Sequence, residues 1–507
     1  MAEFTQKKIG KLIGMKKSEF NELATNKRIF LRRPRLIPVY KLGDEMALTS
    51  VLLSSLKLIK EFRQAVFSEA KMLTGGAVYC YTEVEFDEYR GARIDGLILI
   101  VKSGVIRDAA IVEVKNKKSE LEKDQIERYQ QIAKAYSIPK FITISNQFVS
   151  DSTQSPINAK NIKSVDRHHF SWTYLLTIAH VLLFKKEPKI EDKDQIALMK
   201  EVVNYLEWDK SGVFGVTQMK AGWVDVVEKV VARAKLKASD ENVNDAVLSW
   251  QQQERDMSLV LSRELGVLVS SGEAKYKGKL EVRLKDDCKF LVENEKLHSV
   301  LRIRGAVSDI RVSALFDNRT VEMMVSLKAP NDKTTKGQIG WIKRQLSVCS
   351  KRNDSLFDRL ENNIYLEVLV RNSHISEKFS ISEIDTASER LKGRVIREFR
   401  VVYVKDFGKQ FSSPRKFVDI IEAMLKDYYR GVVQHLTKWE VAAPKMVSPC
   451  DQAEDDEDFD AYNGGSDVLA LGANINSSKA NTEPDSESVY LSEHSLQTDS
   501  VNEEKDD

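Results

Sequence analysis

Three side chains within one short stretch can do chemistry together: Asp95, Glu113 and Lys115. Asp95 stands in the run Arg93-Ile94-Asp95-Gly96-Leu97-Ile98-Leu99-Ile100, and Glu113-Val114-Lys115 closes Ala109-Ala110-Ile111-Val112. Both runs are apolar and of strand length, and Lys102-Ser103-Gly104 between them is turn chemistry. A hairpin centred on Gly104 pairs Asp95 directly with Glu113, and paired residues hold their Cβ atoms about 4.5–5.5 Å apart. Two carboxylates that close repel unless a cation lies between them. The two-residue period of a strand puts Lys115 on the face of Glu113, so two anionic oxygen ligands and an amine meet at one spot. Ligands of this kind suit Mg²⁺ or Mn²⁺, ions that polarise a phosphoryl oxygen and generate hydroxide near neutral pH. Phosphodiester hydrolysis is the reaction such a group is suited to.

The elements that must position these groups follow from periodicity. Leu48, Leu52, Leu56, Ile59, Phe62, Val66, Ala70 and Leu73 form one apolar stripe, which predicts a helix over 46–73 ended by Gly75-Gly76. Ala77 to Phe86 reads as a strand, followed by the hairpin. A second helix is expected from Ser119, an N-cap with Glu122 at the capping-box position, to Tyr136, and Pro139 stops it before the strand 140–145. The order helix, three strands, helix, strand is an α/β sandwich with a mixed sheet, because the crossover helix makes the last strand parallel to a neighbour.

Residues 1–46 are basic and polar and read as an arm; 47–237 hold the sandwich and three further helices (170–184, 195–208, 222–234). Polar residues over 238–257 read as a linker or an exposed connecting helix. Strands are expected in 258–445 at 259–269, 280–284, 300–304, 309–316, 321–327, 364–370 and 397–404, with helices at 336–349 and 415–436, an α+β domain without a catalytic constellation. Residues 446–507 are too poor in apolar groups to fold and are expected to be disordered.

Composition sets further bounds. The net charge of +2 hides an asymmetry: residues 451–507 hold 17 acids against two lysines, −15, which leaves +17 on residues 1–450. A basic body suits a polyanionic partner, although a solvated charged surface accounts for it too. The four cysteines are scattered without zinc spacing and fit a reducing compartment. No run of 18 apolar residues and no signal-like N-terminus occurs, so a cytoplasmic, non-membrane protein is expected. A phosphate-cradling GxxxxGK[ST] loop is missing from the sequence. His168-His169 has no partner at metal-ligand spacing, and Trp172, Trp208 and Trp223 sit among apolar neighbours as core residues.

Other Glu-x-Lys and Asp-x-Lys triplets, such as Glu69-Ala70-Lys71 and Asp287-Cys288-Lys289, lack the strand context of Glu113-Val114-Lys115. With that context, residues 45–146 resemble the PD-(D/E)XK nuclease superfamily, whose core order is α-β-β-β-α-β and which gives a restriction-endonuclease-like fold. Asp95 matches the first acid of its motif and Glu113-Val114-Lys115 the (D/E)xK, while Ile94 replaces the name-giving proline. Gln125-Ile126-Glu127-Arg128-Tyr129 is similar to the QxxxY element of the RecB and lambda-exonuclease branch, with both residues on one helix face. The resemblance implies that Asp95, Glu113 and the Val114 carbonyl bind Mg²⁺ or Mn²⁺. It implies that Lys115 activates water, Gln125 orients the site and Tyr129 braces it. It also implies an acid on the first helix, for which Glu69, at the edge of the apolar stripe, is preferred to Glu61. Glu83 and Glu85 are weaker candidates, read as a solvent-facing strand edge. The implied activity is a metal-dependent deoxyribonuclease of antiviral defence, restriction or repair. DNA is the expected partner, RNA an alternative, and a homodimer or partner protein would use the C-terminal domain. A non-catalytic DNA-binding or assembly protein on the same fold, its three groups reduced to a buried ion cluster, is the rival reading.

Overall fold

The two apolar runs become the central strands of a mixed sheet, buried on both faces, which is why they lack the alternation of half-exposed strands. The structure, a computed structural model, describes residues 9–441 except 38–40, 42, 118, 150–151, 184–188, 277–278, 353 and 374–375. The acidic tail therefore lies outside the described residues.

The chain begins with α1 (Lys17–Thr25) and β1 (Ile29–Arg32), so the expected arm is instead part of the sheet: β1 pairs with the next strand and Phe20 is fully buried. Two helices follow, α2 (Glu45–Leu58) and α3 (Lys60–Glu69), then β2 (Ala77–Phe86), β3 (Ile94–Lys102), β4 (Val105–Val114), α4 (Lys123–Ala135), β5 (Lys140–Ser145) and β6 (Asp166–Ser171). Where one helix was expected over 46–73, extended backbone at Ile59 divides it into two. The six strands lie in the order β1 to β6, antiparallel through β4 and parallel from β4 to β6, and the crossover is α4. The N-cap of α4 is Glu122, three residues beyond the expected Ser119 cap.

One face of this sheet carries α2 and α3 with α5 (Trp172–Leu183) and α6 (Lys193–Glu207), packed on Ile98, Ile100, Val112 and Val114. The other face carries α4 and Phe20, packed on Leu97, Leu99, Ile111 and Phe141. Gly96 allows the first packing, since a Cβ there would lie 2.9 Å from Leu53 Cδ1 of α2.

The second half is built from α7 (Ala221–Val231), α8 (Glu241–Leu265), β7 (Ser270–Ser271), α9 (Leu280–Asn294), β8 (Lys296–Arg302), β9 (Ile310–Leu315), β10 (Thr320–Lys328), α10 (Thr335–Arg352) and α11 (Asp354–Glu361). It ends with β11 (Ile364–Val370), β12 (Ser376–Ser380), α12 (Ile384–Arg390), β13 (Ile396–Asp406) and α13 (Pro414–Gly431). Its seven-stranded sheet has the order β12-β11-β13-β10-β9-β8-β7. The described residues are mixed α/β, and among them no helix is long and apolar enough to cross a membrane.

The expected linker and the expected strands at 259–269 and 280–284 are corrected here. Residues 241–265 form the single helix α8, which packs against α5, α7, α9, β8 and α13, and α9 occupies 280–294. α7 also belongs to the second core, where Trp223 stacks on Trp250 at 6.2 Å, so the boundary between cores falls before residue 219 rather than at 238. The polarity of α8 is internal: Glu254 accepts from Arg283 Nη2 at 2.5 Å and from the Val300 and Gly272 amides at 3.1 Å, and Gln251 donates to Asp287 at 2.7 Å. Both Glu254 and Arg283 are buried, so removing one leaves the other uncompensated. Glu254→Ala is expected to lower unfolding free energy by about 3–5 kcal/mol in denaturant titration, whereas a loss within about 0.5 kcal/mol would show α8 to be the solvated connector its composition suggests.

Candidate functional site

The register of β3 against β4 decides where the acids lie. Gly96 pairs with Val112 and Leu97 with Ile111, which carries Asp95 opposite Glu113 at the next step. The turn that achieves this is not the one expected. Lys102 pairs with Val105 around a two-residue turn, Ser103 and Gly104, both at positive φ (51° and 73°). Continued unchanged, that register would set Asp95 opposite Val112 and point Glu113 to the other face. A register shift follows between Ile100 and Val101, leaving Arg107 as the extra residue of a bulge, and restores the pairing of the acids.

Glu113 is fully buried on the α4 face, with Lys115 Nζ 2.9 Å from its Oε1. The pair is close in distance but not aligned as a hydrogen bond, so neither carboxylate oxygen of Glu113 has an aligned donor. Asp95 is half-buried and accepts the Val114 amide on Oδ2 at 2.8 Å. In extended backbone the Val114 carbonyl leaves the strand on the same side as that amide, towards β3. Burial pushes the Asp95 carboxyl up to about 6. Burial and then the neighbouring Asp95 charge hold Glu113 well above the carboxylate range. Burial works to lower the Lys115 amine, but Glu113, Glu45 and Asp95 outweigh it and its pKa is raised. The lysine is thus a firm cation beside two acids that resist ionising together.

Backbone anchors surround this trio. Trp172 Nε1 donates to the Lys115 carbonyl at 3.0 Å, and the Lys115 amide donates to Ile144 O at 2.8 Å. Tyr129 OH donates to Arg93 O at 2.5 Å, two residues before Asp95, and Gln125 Nε2 donates to Tyr129 OH at 3.3 Å. Burial and then the Glu113 charge raise the Tyr129 phenol. Gln125 and Tyr129 therefore brace the strand carrying Asp95, and no hydrogen bond links them directly to either acid.

Glu69 is corrected. It ends α3, on the sheet face opposite Glu113, and accepts from Ser152 Oγ at 2.9 Å. The break at Ile59 removes the continuous stripe by which it was placed. The helical acid near Lys115 is Glu45, in the first turn of α2: its Oε2 is 3.9 Å from Lys115 Nζ and its Oε1 accepts the Asn116 amide at 3.2 Å. Asp44-Glu45 ahead of an apolar run is a helix-start signal that could have found it.

Glu83 is no solvent-facing residue: the β2–β3 register sets it level with Asp95, it is buried, and it lies 3.1 Å from Arg93 Nε. Its left-handed backbone, φ 53°, lies inside β2 at a residue the ladder with β3 skips. Sequence reasoning also missed Thr143, paired with Glu113 on β5, whose Oγ1 is 2.9 Å from His169 Nδ1. His169 is buried, and burial lowers it to about 4, so it is neutral in this row. Trp172 and Trp223 are core as expected, but Trp208 is 54% exposed.

Among the described residues, no group of three or more His, Cys, Asp or Glu side chains is spaced to hold a metal. The orphaned oxygens of Glu113 facing Asp95 nevertheless fit a divalent ion that takes two carboxylates, a carbonyl and otherwise water, as Mg²⁺ does. No known protein family, no curated protein and no solved structure matches this chain.

The raised carboxyls fix a sign. A folded pKa above the unfolded value binds extra protons in the native state, so the pair's contribution to stability falls as pH rises from about 4 through 6 and beyond. Glu113→Gln, which replaces the repulsion with an amide donor, is expected to raise the melting temperature of EDTA-treated protein at about pH 8 and to change it little at about pH 4.5. A melting temperature lowered equally at both would mean that the pair is not strained. Mn²⁺ should stabilise the wild type more at about pH 8 than at about pH 5.5, because the ion competes with protons for the same oxygens.

Proposed function

We propose that this protein is a divalent-metal-dependent nuclease that hydrolyses phosphodiester bonds of DNA. The observation that carries the reading is a fully buried glutamate without an aligned donor, opposite a second acid and 2.9 Å from a lysine amine. Such an arrangement is costly for stability alone, since a buried like-charge pair opposes folding at neutral pH. The order α2/α3, β2, β3, β4, α4, β5 supports it too, being the order implied by the resemblance to the PD-(D/E)XK superfamily.

Asp95 and Glu113, with the Val114 carbonyl, would hold Mg²⁺ or Mn²⁺. Bound there, the ion supplies charge stabilisation at a phosphoryl oxygen and lowers the pKa of a coordinated water. The remaining work belongs to the chain. Lys115, kept protonated by three acids, offers N–H donors to a phosphate oxygen or the attacking water. Glu45 keeps a second carboxylate near that amine. Tyr129 and Gln125 act as positioning residues through Arg93 O. The basic body raises the local concentration of a polyanion.

Purified protein should cut DNA with Mg²⁺ or Mn²⁺ and not in EDTA, with Asp95→Ala, Glu113→Ala and Lys115→Ala each slowing cleavage at least ~10²-fold. Unimpaired cleavage by Glu113→Ala would overturn the assignment. Tyr129→Phe, which loses the bond to Arg93 O but keeps the ring, should cost a smaller factor, on the order of 10-fold. Glu45→Gln is expected to slow the reaction where Glu69→Gln does not. The same digestions on RNA identify a ribonuclease, and salt-sensitive binding without cleavage identifies the non-catalytic scaffold.

A further inference from the structure

A cleft of about 1090 Å³ opens in the second half where the end of β10, the start of β13 and the first turn of α10 meet. Cations from four places in the chain converge on it: Lys328 from β10, Arg371 after β11, Arg397 from β13 and Lys438 beyond α13. All four are exposed, and among the described residues none has an ion-pair or hydrogen-bond partner for its side chain. Elsewhere on the same sheet charges are matched, as where Arg400 pairs with Glu367 and Glu398. The acid at the cleft is spoken for, since Glu398 accepts from Ser326 Oγ at 2.9 Å and from Arg400 Nε at 3.0 Å.

One wall is apolar and aromatic. Val395 is exposed there, and Trp439 is half-buried with its Nε1 donating to Asp332 at 2.8 Å and its ring edge-on to Trp341. The indole is fixed at two points, and Lys333 Nζ lies 5.0 Å over its ring, so a base stacking there would displace that amine or take the other face. The N-terminal end of α10 adds a partial positive charge at the rim.

We propose that this cleft binds a nucleotide, with its phosphates on Lys328, Arg371, Arg397 and Lys438 and its base against the Trp439 and Val395 wall. Four uncompensated cations match the charge of a di- or triphosphate, and two arginines offer the bidentate geometry that phosphate takes. The volume, about 1090 Å³, lies just above the roughly 300–1,000 Å³ typical of small-ligand sites. A bounded recess favours a mononucleotide over a strand, which needs a continuous basic track. The proposal is independent of the nuclease reading.

The test is calorimetric titration of the full-length protein in EDTA with ATP, inorganic triphosphate and a short single-stranded oligodeoxynucleotide. ATP should bind more tightly than triphosphate and quench tryptophan fluorescence. The surface double variant Arg371→Glu/Arg397→Glu should weaken ATP at least ~10-fold while melting like the wild type. Lys289→Glu/Lys351→Glu, the same charge change outside the cleft, should not. Absence of ATP binding at about 1 mM, or equal weakening in both double variants, overturns the proposal. Triphosphate binding as tightly as ATP removes the base wall from it, and binding of the oligonucleotide alone makes the cleft a nucleic-acid track instead.

Discussion

Two carboxyl groups held face to face on paired strands set the terms for the first half of this protein. The fold gives Asp95 the Val114 amide and gives Glu113 no such donor. It fixes the backbone on either side and leaves the Glu113 oxygens unaligned with any donor. Trp172 and Ile144 hold Lys115 by its main chain, Tyr129 holds Arg93 by its carbonyl, and Asn116 ties the end of β4 to Gly43 O and Ser211 O through its side-chain amide. Rigid surroundings with vacant lone pairs are what preorganisation requires of a cation site. The local sequence is apolar because these strands are buried on both faces, and that burial encloses Glu113 fully while Asp95 stays half-buried.

Much of this was legible in the sequence, for reasons that differ by element. β11 falls on the expected 364–370, while β3 and β4 hold the expected apolar runs and extend them to the turn, to Lys102 and from Val105. The pairing of Asp95 with Glu113 was read through the wrong turn. A hairpin centred on Gly104 and a tighter turn followed by a bulge at Arg107 give the same partners, and no residue type near Arg107 announces a bulge. Glu69 was misplaced because a 3.6-residue stripe runs unbroken across Ile59, although the backbone there is extended and the axis restarts.

The larger misreading concerned α8. Gln251, Gln253, Glu254 and Asp256 look like the surface of a connector, and all four are buried. Polarity marks exposure only when partners are missing, and for Gln251, Glu254 and Asp256 the partners are Asp287, Arg283 and the Val216, Gly272 and Val300 amides, from segments distant in sequence. Asp256, which accepts the Val216 amide, is pushed up to about 6 by burial, a second acid held off its ordinary range well away from the first site in the chain. Its neighbour in charge, Glu422, is raised to about 7 by burial and then by Asp256.

Because α8 belongs to the second core and also packs against α5 of the first half, the polypeptide cannot be dissected where its composition invites the knife. A fragment ending at residue 257 would sever this helix in mid-course, keeping Trp223 and Trp250 while discarding Phe316, Phe411 and Phe417, the rings against which Trp223 rests. It would also strip Arg263 from Thr177 on α5, taking away a crosslink that reaches into the sandwich itself. Such a fragment would be sticky and poorly folded, and its inactivity would say nothing about the acids.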